Sequence, residues 1–401
     1  MSNARISGFM NSISKGNMSL VSVIIPAYNA EKFIERTLKS VLSQTYKNIE
    51  VLVVDDGSQD RTGEIVKSIA AQDQRVILLQ QSNSGVATAR NLAIQKSKGE
   101  FIAPIDADDI WYPQNIEKQV QCILKSESSV GLVYSWSVDI DEADSPIGEF
   151  RASRIEGEVY TTLLCHDFIA NASSVLIRRS CFDKVRGYDR SLKEQNGQGC
   201  EDWDLYLRIA EHYHFRVVPE FLVGYRKLAN SMSGDYTSMA KSRELIWKSI
   251  REKYPNIPAA IYRLSTSSFY MNLARQSSLH GKHKTTLFWI YKSLEKEKIT
   301  PFLRLGFYIL LIKSLLKLMA QPVTGLIWQE DNAWVNFKQK FKSNKQPITI
   351  TDLNNRQLNT NFKVLAESTL HRLAPMIFGT PKTWLTILKK ENGICQPINE
   401  P

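Results

Sequence analysis

The chain has 401 residues, 43% hydrophobic and 23% charged, values ordinary for a globular protein of one large or two moderate domains. Its formal charge of +10 is uneven: residues 236–401 hold 25 Lys/Arg against 10 Asp/Glu, a net +15, whereas residues 1–235 are net −5, so the two parts face different surroundings. Five scattered cysteines without a C-x-x-C pair exclude a disulfide framework and fit buried thiols in a reducing compartment, and the N-terminal residues lack the apolar core of a secretory signal, so cytoplasmic residence is expected.

Residues 1–18 read as a polar, flexible leader. Val21–Ile25 is then an apolar strand broken by Pro26. Asn29 is placed to cap the following helix, in which Phe33/Ile34, Thr37/Leu38 and Val41/Leu42 recur at helical spacing. A second apolar strand, Ile49–Val54, ends in Asp55-Asp56-Gly57-Ser58. A helix near Thr62–Gln72, a strand over Arg75–Leu79, a helix over Gly85–Ser97 and a strand over Phe101–Ile105 complete a β-α-β-α-β-α-β alternation. Near-continuous apolar strands alternating with helices predict an α/β fold, a mostly parallel sheet with helices on both faces. In such sheets ligands bind beyond the carboxyl ends of the strands, where the acidic clusters at 55–56 and 106–109 fall. Further on, Gly131–Val138, Ala172–Ile177 and Phe215–Val218 predict strands, and Glu201–His212 predicts a helix preceded by the polar loop Lys193–Gly199. From about Tyr236 the chain turns helical, basic and aromatic-rich.

The strand Phe101–Ile105 runs straight into Asp106-Ala107-Asp108-Asp109. Residues two apart in an extended chain project to one face, so Asp106 and Asp108 point together. Two converging carboxylates repel unless a cation lies between them, and a hard divalent ion such as Mg2+ or Mn2+ takes oxygen ligands and commonly brings phosphate. One reading is a nucleotide-diphosphate site; the other is an acidic turn capping a helix that starts near Asp109.

Four features follow in order: Pro26-Ala27-Tyr28-Asn29 after the first strand, Asp55-Asp56-Gly57-Ser58 after the second, Asn83-Ser84-Gly85-Val86-Ala87-Thr88-Ala89-Arg90-Asn91 opening the third helix, and Asp106-Ala107-Asp108-Asp109 after the fourth strand. With Gly187-Tyr188-Asp189 and Gly199-Cys200-Glu201-Asp202-Trp203, this order resembles the family 2 glycosyltransferases, inverting nucleotide-sugar-dependent enzymes of the GT-A fold, over roughly residues 19–235. The resemblance implies a GT-A, Rossmann-like catalytic domain over 19–235 and a basic helical extension over 236–401. Tyr28 offers a ring for a nucleobase, or is an ordinary core or surface tyrosine. Asp55 or Asp56 would accept from the base N–H, or serve the turn before Gly57. Pro26, Asn83 and Gly85 belong to the same implied nucleotide-sugar site. Arg90 would offset phosphate charge, or form a surface ion pair. Asp106 would reach the ribose or the ion, Asp108 would coordinate the Mn2+ or Mg2+ cofactor, and Asp109 would be a third ligand or a cap. Asp202 is the implied general base, with Glu201 as the alternate, unless both merely favour a helix N-terminus; Asp204 reads as structural. Tyr225-Arg226-Lys227 and Ser231-Met232-Ser233 resemble the segment closing the catalytic domain. A His common after that Tyr-Arg pair is replaced by Lys227-Leu228-Ala229-Asn230, which leaves its contact without a counterpart.

In the basic part, Pro301–Trp328 is apolar but interrupted by Arg304, Lys313 and Lys317, which argues against a spanning helix. It reads either as an amphipathic helix at a membrane surface or as a helical core packed on the rest of the chain or on another subunit of a homo-oligomer. No nucleic-acid-binding motif is present. The expectation is therefore a metal-dependent glycosyltransferase at the cytoplasmic side of a membrane, using a UDP-sugar and a glycan or lipid-linked acceptor in cell-surface polysaccharide or glycolipid synthesis. The rival is a non-catalytic nucleotide-sugar or glycan-binding module.

Overall fold

The first apolar runs become parallel strands because each is followed by a helix that returns the chain to the same edge. The computed structural model describes residues 18–169, 171–228, 234–324 and 362–385. Its strands are β1 (Val21–Ala27), β2 (Ile49–Asp55), β3 (Val76–Gln80), β4 (Phe101–Pro104), β5 (Ile110–Trp111), β6 (Val130–Ile140), β7 (Pro146–Arg151), β8 (Val175–Arg178) and β9 (His214–Arg226). By their contacts the described residues form two units.

The first unit comprises residues 18–138, 171–190 and 212–226. Its sheet runs in the order β3-β2-β1-β4-β8-β6-β9-β5. β3, β2, β1 and β4 are parallel, with Val23 facing Val51 on one side and Ala103 on the other. Beyond β4 the sheet continues through the antiparallel pairs β4–β8 and β8–β6. The chain moves outward from β1 to β2 to β3, then returns to place β4 on the far side of β1. At that reversal the loops leaving β1 and β4 diverge, and open α/β sheets present a crevice there. Helix Ile34–Leu42 buries Ile34, Thr37, Leu38 and Val41, one face at helical spacing. With β1, β2 and β4 these residues form the main apolar core.

Two strands differ from expectation. The expected strand Ala172–Ile177 opens with a 3-10 turn, Ala172–Ser174, and becomes extended over Val175–Arg178, because Ser173 and Ser174 are drawn into side-chain and backbone hydrogen bonds. The expected strand Phe215–Val218 extends to Arg226 through Pro219, which is exposed and so forfeits no ladder bond that the core requires.

The second unit comprises residues 139–169, 191–211, 227–324 and 362–385, residues 229–233 lying outside the description. Helices Tyr236–Lys253, Ala259–Leu279, His283–Lys296 and Leu305–Thr324 fulfil the expected helical texture, around a core that includes Tyr236, Tyr270, Leu273, Trp289 and Phe307. A second aromatic knot joins Tyr160, Tyr254 and Trp384, with ring centroids 5.8–6.1 Å apart. Helix Phe362–Phe378 docks through His371. Its Nε2 lies 2.9 Å from the Glu156 carbonyl, which can only accept, so Nε2 carries the proton and Nδ1 accepts from the Thr162 hydroxyl at 2.8 Å. Among the described residues no helix is long and apolar enough to cross a membrane. The expected leader, Ser231–Ser233 and residues 325–328 lie outside the described residues.

Candidate active site

The loops after β1 and β2 are built on one another. Pro26 pairs with Val54 inside the sheet, and the Tyr28 ring beyond the strand end is 49% exposed. Asn29 caps no helix: the following helix starts at Ile34 with Phe33 in the cap position. Instead the Asn29 N–H donates to Ser58 Oγ at 3.0 Å and its Oδ1 accepts from Gln59 N–H at 2.8 Å, with φ at +48°. The Ala30 N–H donates to Thr62 Oγ1 at 2.7 Å, closing the same joint.

Asp55 and Asp56 are both buried. Asp55 Oδ1 accepts from Ser58 N–H at 2.9 Å, an Asx turn at the end of β2. Asp56 Oδ1 accepts from Ser84 N–H at 2.8 Å and from the Gln81 side-chain amide at 2.6 Å, while Oδ2 accepts from Gly85 N–H at 2.8 Å. The carboxylate thus clamps the opening of helix Val86–Lys96 to the end of β2, with the Asn83 side chain exposed on the clamped loop. Gly57 is required here: its φ is +77°, and a Cβ would sit 2.8 Å from Asn83 N.

Helix Val86–Lys96 carries Arg90 and Asn91 toward the other side of the crevice. Arg90 is buried, donates from Nη2 to Asp106 Oδ1 at 2.6 Å and stacks its guanidinium 5.1 Å from the Tyr188 ring centroid. The Asn91 amide pairs with the Tyr188 backbone in both directions at 2.8 Å. A Cβ at Gly187 would meet Asn91 Oδ1 at 2.1 Å, so the Gly187-Tyr188 pair reads as a docking site for this helix.

The Asp106–Asp109 turn is held from beneath. Asp109 is fully buried; its Oδ2 accepts from the Ser173 hydroxyl and its Oδ1 from Arg226 N–H at 2.8 Å. Ser173 Oγ in turn accepts from Asp106 N–H at 3.0 Å, and Arg226 Nε donates to the Asp108 carbonyl at 2.6 Å. The Thr37 hydroxyl contacts the Ala107 and Asp109 carbonyls at 2.9 and 2.8 Å. Burial, reinforced by the Asp108 and Asp106 charges, pushes the Asp109 carboxyl well above the usual range. Asp109 therefore braces the turn from within, and it caps no helix, because strand β5 follows it. Asp106 and Asp108 are half-buried at the turn.

The two carboxylates offer oxygen donors, the set a hard divalent ion takes. Among the described residues no three His, Cys, Asp or Glu side chains are grouped to hold an ion. The residues fit a Mg2+ or Mn2+ whose remaining ligands come from a diphosphate and water, and they do not form an all-protein cage.

Glu201 and Asp202 belong to the second unit, at the start of helix Glu201–Ala210. Glu201 is buried and its Oε2 accepts from Gly199 N–H at 3.0 Å. Asp202 is half-buried, with Oδ1 accepting from Trp203 N–H at 2.7 Å in the turn where helix N–H groups favour negative charge. Asp204 is ion-paired with Arg208 at 2.6 Å, the structural role expected of it. Trp203 anchors the helix: Nε1 donates to the Leu163 carbonyl at 3.0 Å, and the buried Arg243 guanidinium lies 3.3 Å from its ring centroid. Burial pushes the Cys165 and Cys181 thiols up to about 12 and raises Cys200 further, so none is an activated nucleophile.

The first unit thus brings Pro26, Tyr28, Asp55, Asp56, Asn83, Gly85, Arg90, Asp106 and Asp108 to the carboxyl ends of its parallel strands. Ser173, Thr37 and the Arg226 side chain were not assigned site roles from sequence. Arg226 lies in the flagged Tyr-Arg pair, whereas nothing local marks Ser173 or Thr37.

Residues 22–186 match the sequence profile of the family described as Glycosyl transferase family 2. The chain is similar to an uncharacterized glycosyltransferase of Methanocaldococcus jannaschii, 28% identical over 211 residues, which covers 52% of this chain and 70% of that relative. It is similar to another of Rickettsia prowazekii, 27% identical over 301 residues, covering 74% and 90%. Among solved structures it is similar to S. aureus TarS 1-349 in complex with UDP-GlcNAc, at 17% identity and a TM-score of 0.47, covering 70% of this chain and 81% of that one.

Proposed function

Through residues 22–186 the chain belongs to glycosyl transferase family 2, and from that premise we propose that it is an inverting, metal-dependent glycosyltransferase using a UDP-sugar as donor. One observation carries the assignment of the donor site: β1, β2 and β4 are neighbouring parallel strands whose carboxyl ends open on one edge of the sheet, where Arg90 is ion-paired with Asp106. The exposed Tyr28 ring is available to stack on the base. Arg90 fixes Asp106 in one orientation, and Asp108 beside it presents oxygen donors with the diphosphate. When bound, a Mg2+ or Mn2+ ion supplies neutralisation of the charge that develops on the leaving diphosphate. Asp202 takes the proton from the acceptor hydroxyl as its oxygen bonds to the anomeric carbon and the bond to the nucleoside diphosphate breaks. A single displacement needs no enzyme nucleophile, which agrees with the raised thiols. The proposed acceptor is a glycan on a lipid carrier, in bacterial cell-surface polysaccharide or glycolipid assembly; the basic residues 236–401 support contact with such an anionic substrate.

Hydrolysis of a panel of UDP-, GDP- and dTDP-sugars, with Mn2+ or with chelator, tests the reading. Metal-dependent release from one donor is expected, abolished in Asp108→Ala. With an acceptor found from that donor, Asp202→Asn is expected to lower transfer by roughly 10²–10⁴-fold while keeping donor binding. Binding without turnover in the wild type would favour the non-catalytic module. Failure to bind any nucleotide-sugar would overturn both.

A further inference from the structure

Helix Leu305–Thr324 is apolar on two opposite sides. Phe307 and Ser314 are buried toward helices Ala259–Leu279 and His283–Lys296, with Leu310 and Leu311 packed against the same core. On the opposite side Leu305, Tyr308, Ile309, Ile312, Leu316 and Met319 are between 43% and 75% exposed. At 100° per residue these six side chains fall within a stripe about 100° wide. Lys313 and Lys317, both exposed, lie one turn apart along one flank of that stripe. The sequence from Lys298 to Thr324 contains no Asp or Glu, and Lys282–Lys317 carries eight basic residues against two acidic.

We propose that this face is an interfacial docking surface for an anionic lipid bilayer, with helix Leu305–Thr324 lying flat and its exposed stripe entering the headgroup boundary. Two observations choose a bilayer over a second copy of the chain. The stripe has lysines on its flank and no carboxylate, so self-association would bring like charges together, whereas anionic headgroups complement them. The helix also falls short of a spanning segment, and it combines apolar side chains with basic ones at the edge, the pattern of in-plane helices. The inference does not depend on the identity of the sugar donor.

The test is co-sedimentation of the full chain with vesicles of phosphatidylcholine alone, or of equal parts phosphatidylcholine and phosphatidylglycerol. Pelleting with the anionic vesicles only, weakened by salt, is expected. Ile309→Glu with Leu316→Glu, and separately Lys313→Glu with Lys317→Glu, should each lower the bound-to-free ratio by about tenfold or more. Because Ile309 and Leu316 are exposed, the thermal melting curve and donor hydrolysis of the Ile309/Leu316 variant should not change. Absence of pelleting with either vesicle would overturn the proposal, as would unchanged pelleting of both paired variants. So would a dimer, seen by analytical ultracentrifugation, that the Ile309/Leu316 change dissociates; the occupant of the stripe would then be a second copy.

Discussion

Asp56 accepts from the Ser84 and Gly85 N–H groups and from the Gln81 amide, so its carboxylate is committed to the protein before any nucleotide arrives. Asp56→Ala would leave two backbone donors without their acceptor and should lower the unfolding free energy by about 2–4 kcal/mol in urea denaturation. A residue serving only the base would shift donor affinity and leave the urea midpoint in place. Asp109→Asn should likewise cost about 1–3 kcal/mol, because an amide nitrogen cannot accept from both Ser173 and Arg226. The order of the motifs marked this turn as the place to look, since acidic residues at strand ends are legible in a linear reading. Which acid faces a ligand and which braces the turn was not legible. The bracing partners of Asp109 lie 64 and 117 residues away, and nothing in the local pattern announces them.

Among the elements, helix Glu201–Ala210 depends on a partner from another part of its unit. Its Trp203 is stacked under the buried Arg243 of helix Tyr236–Lys253. A desolvated pair of this kind contributes about 2 kcal/mol. Arg243→Ala should therefore lower thermal stability and, by loosening the helix that carries Asp202, reduce turnover more than donor affinity; equal kcat in the variant would argue against that linkage. Helix Phe362–Phe378 is held through neutral His371, whose pKa burial lowers, with the nearby Arg372 charge acting in the same direction. A base with a depressed folded pKa contributes stability above its unfolded pKa and loses it as pH falls through the folded value. Between about pH 7.5 and pH 5, hydrogen-exchange protection of this helix should fall, and His371→Gln should flatten that dependence. The β-α alternation was legible because its apolar runs are near-continuous. The passage of β9 through Pro219 was not, since proline ordinarily ends a strand and only its exposure permits it here.

At the scale of the whole molecule, the segment carrying Glu201 and Asp202 clusters by contact with residues beyond 227. A chain truncated before Tyr236 would lose Arg243, Trp247 and Tyr254 from the surroundings of Trp203 and Tyr160. Such a fragment should lose near-ultraviolet circular dichroism in its tryptophan bands and show no acceptor transfer; wild-type transfer by the fragment would contradict this dependence. The change in composition near Tyr236 is visible in the sequence. That residues 139–169 and 191–211 pack with the later helices is not, because it follows from pairings across long sequence separations.

The same long pairings bear on how the chain is made. Thr161 hydrogen-bonds to the Gly379 carbonyl across 218 residues, and the ring knot around Tyr160 requires Trp384. A ribosome releases Tyr160 long before Trp384, so the aromatic knot cannot close until residue 384 has emerged. The parallel strands of the first unit pair over much shorter separations and can assemble while the rest is still being translated. Until residue 384 is made, Tyr160 therefore lacks one of its ring partners, which leaves this part of the nascent polypeptide exposed to aggregation when termination is premature.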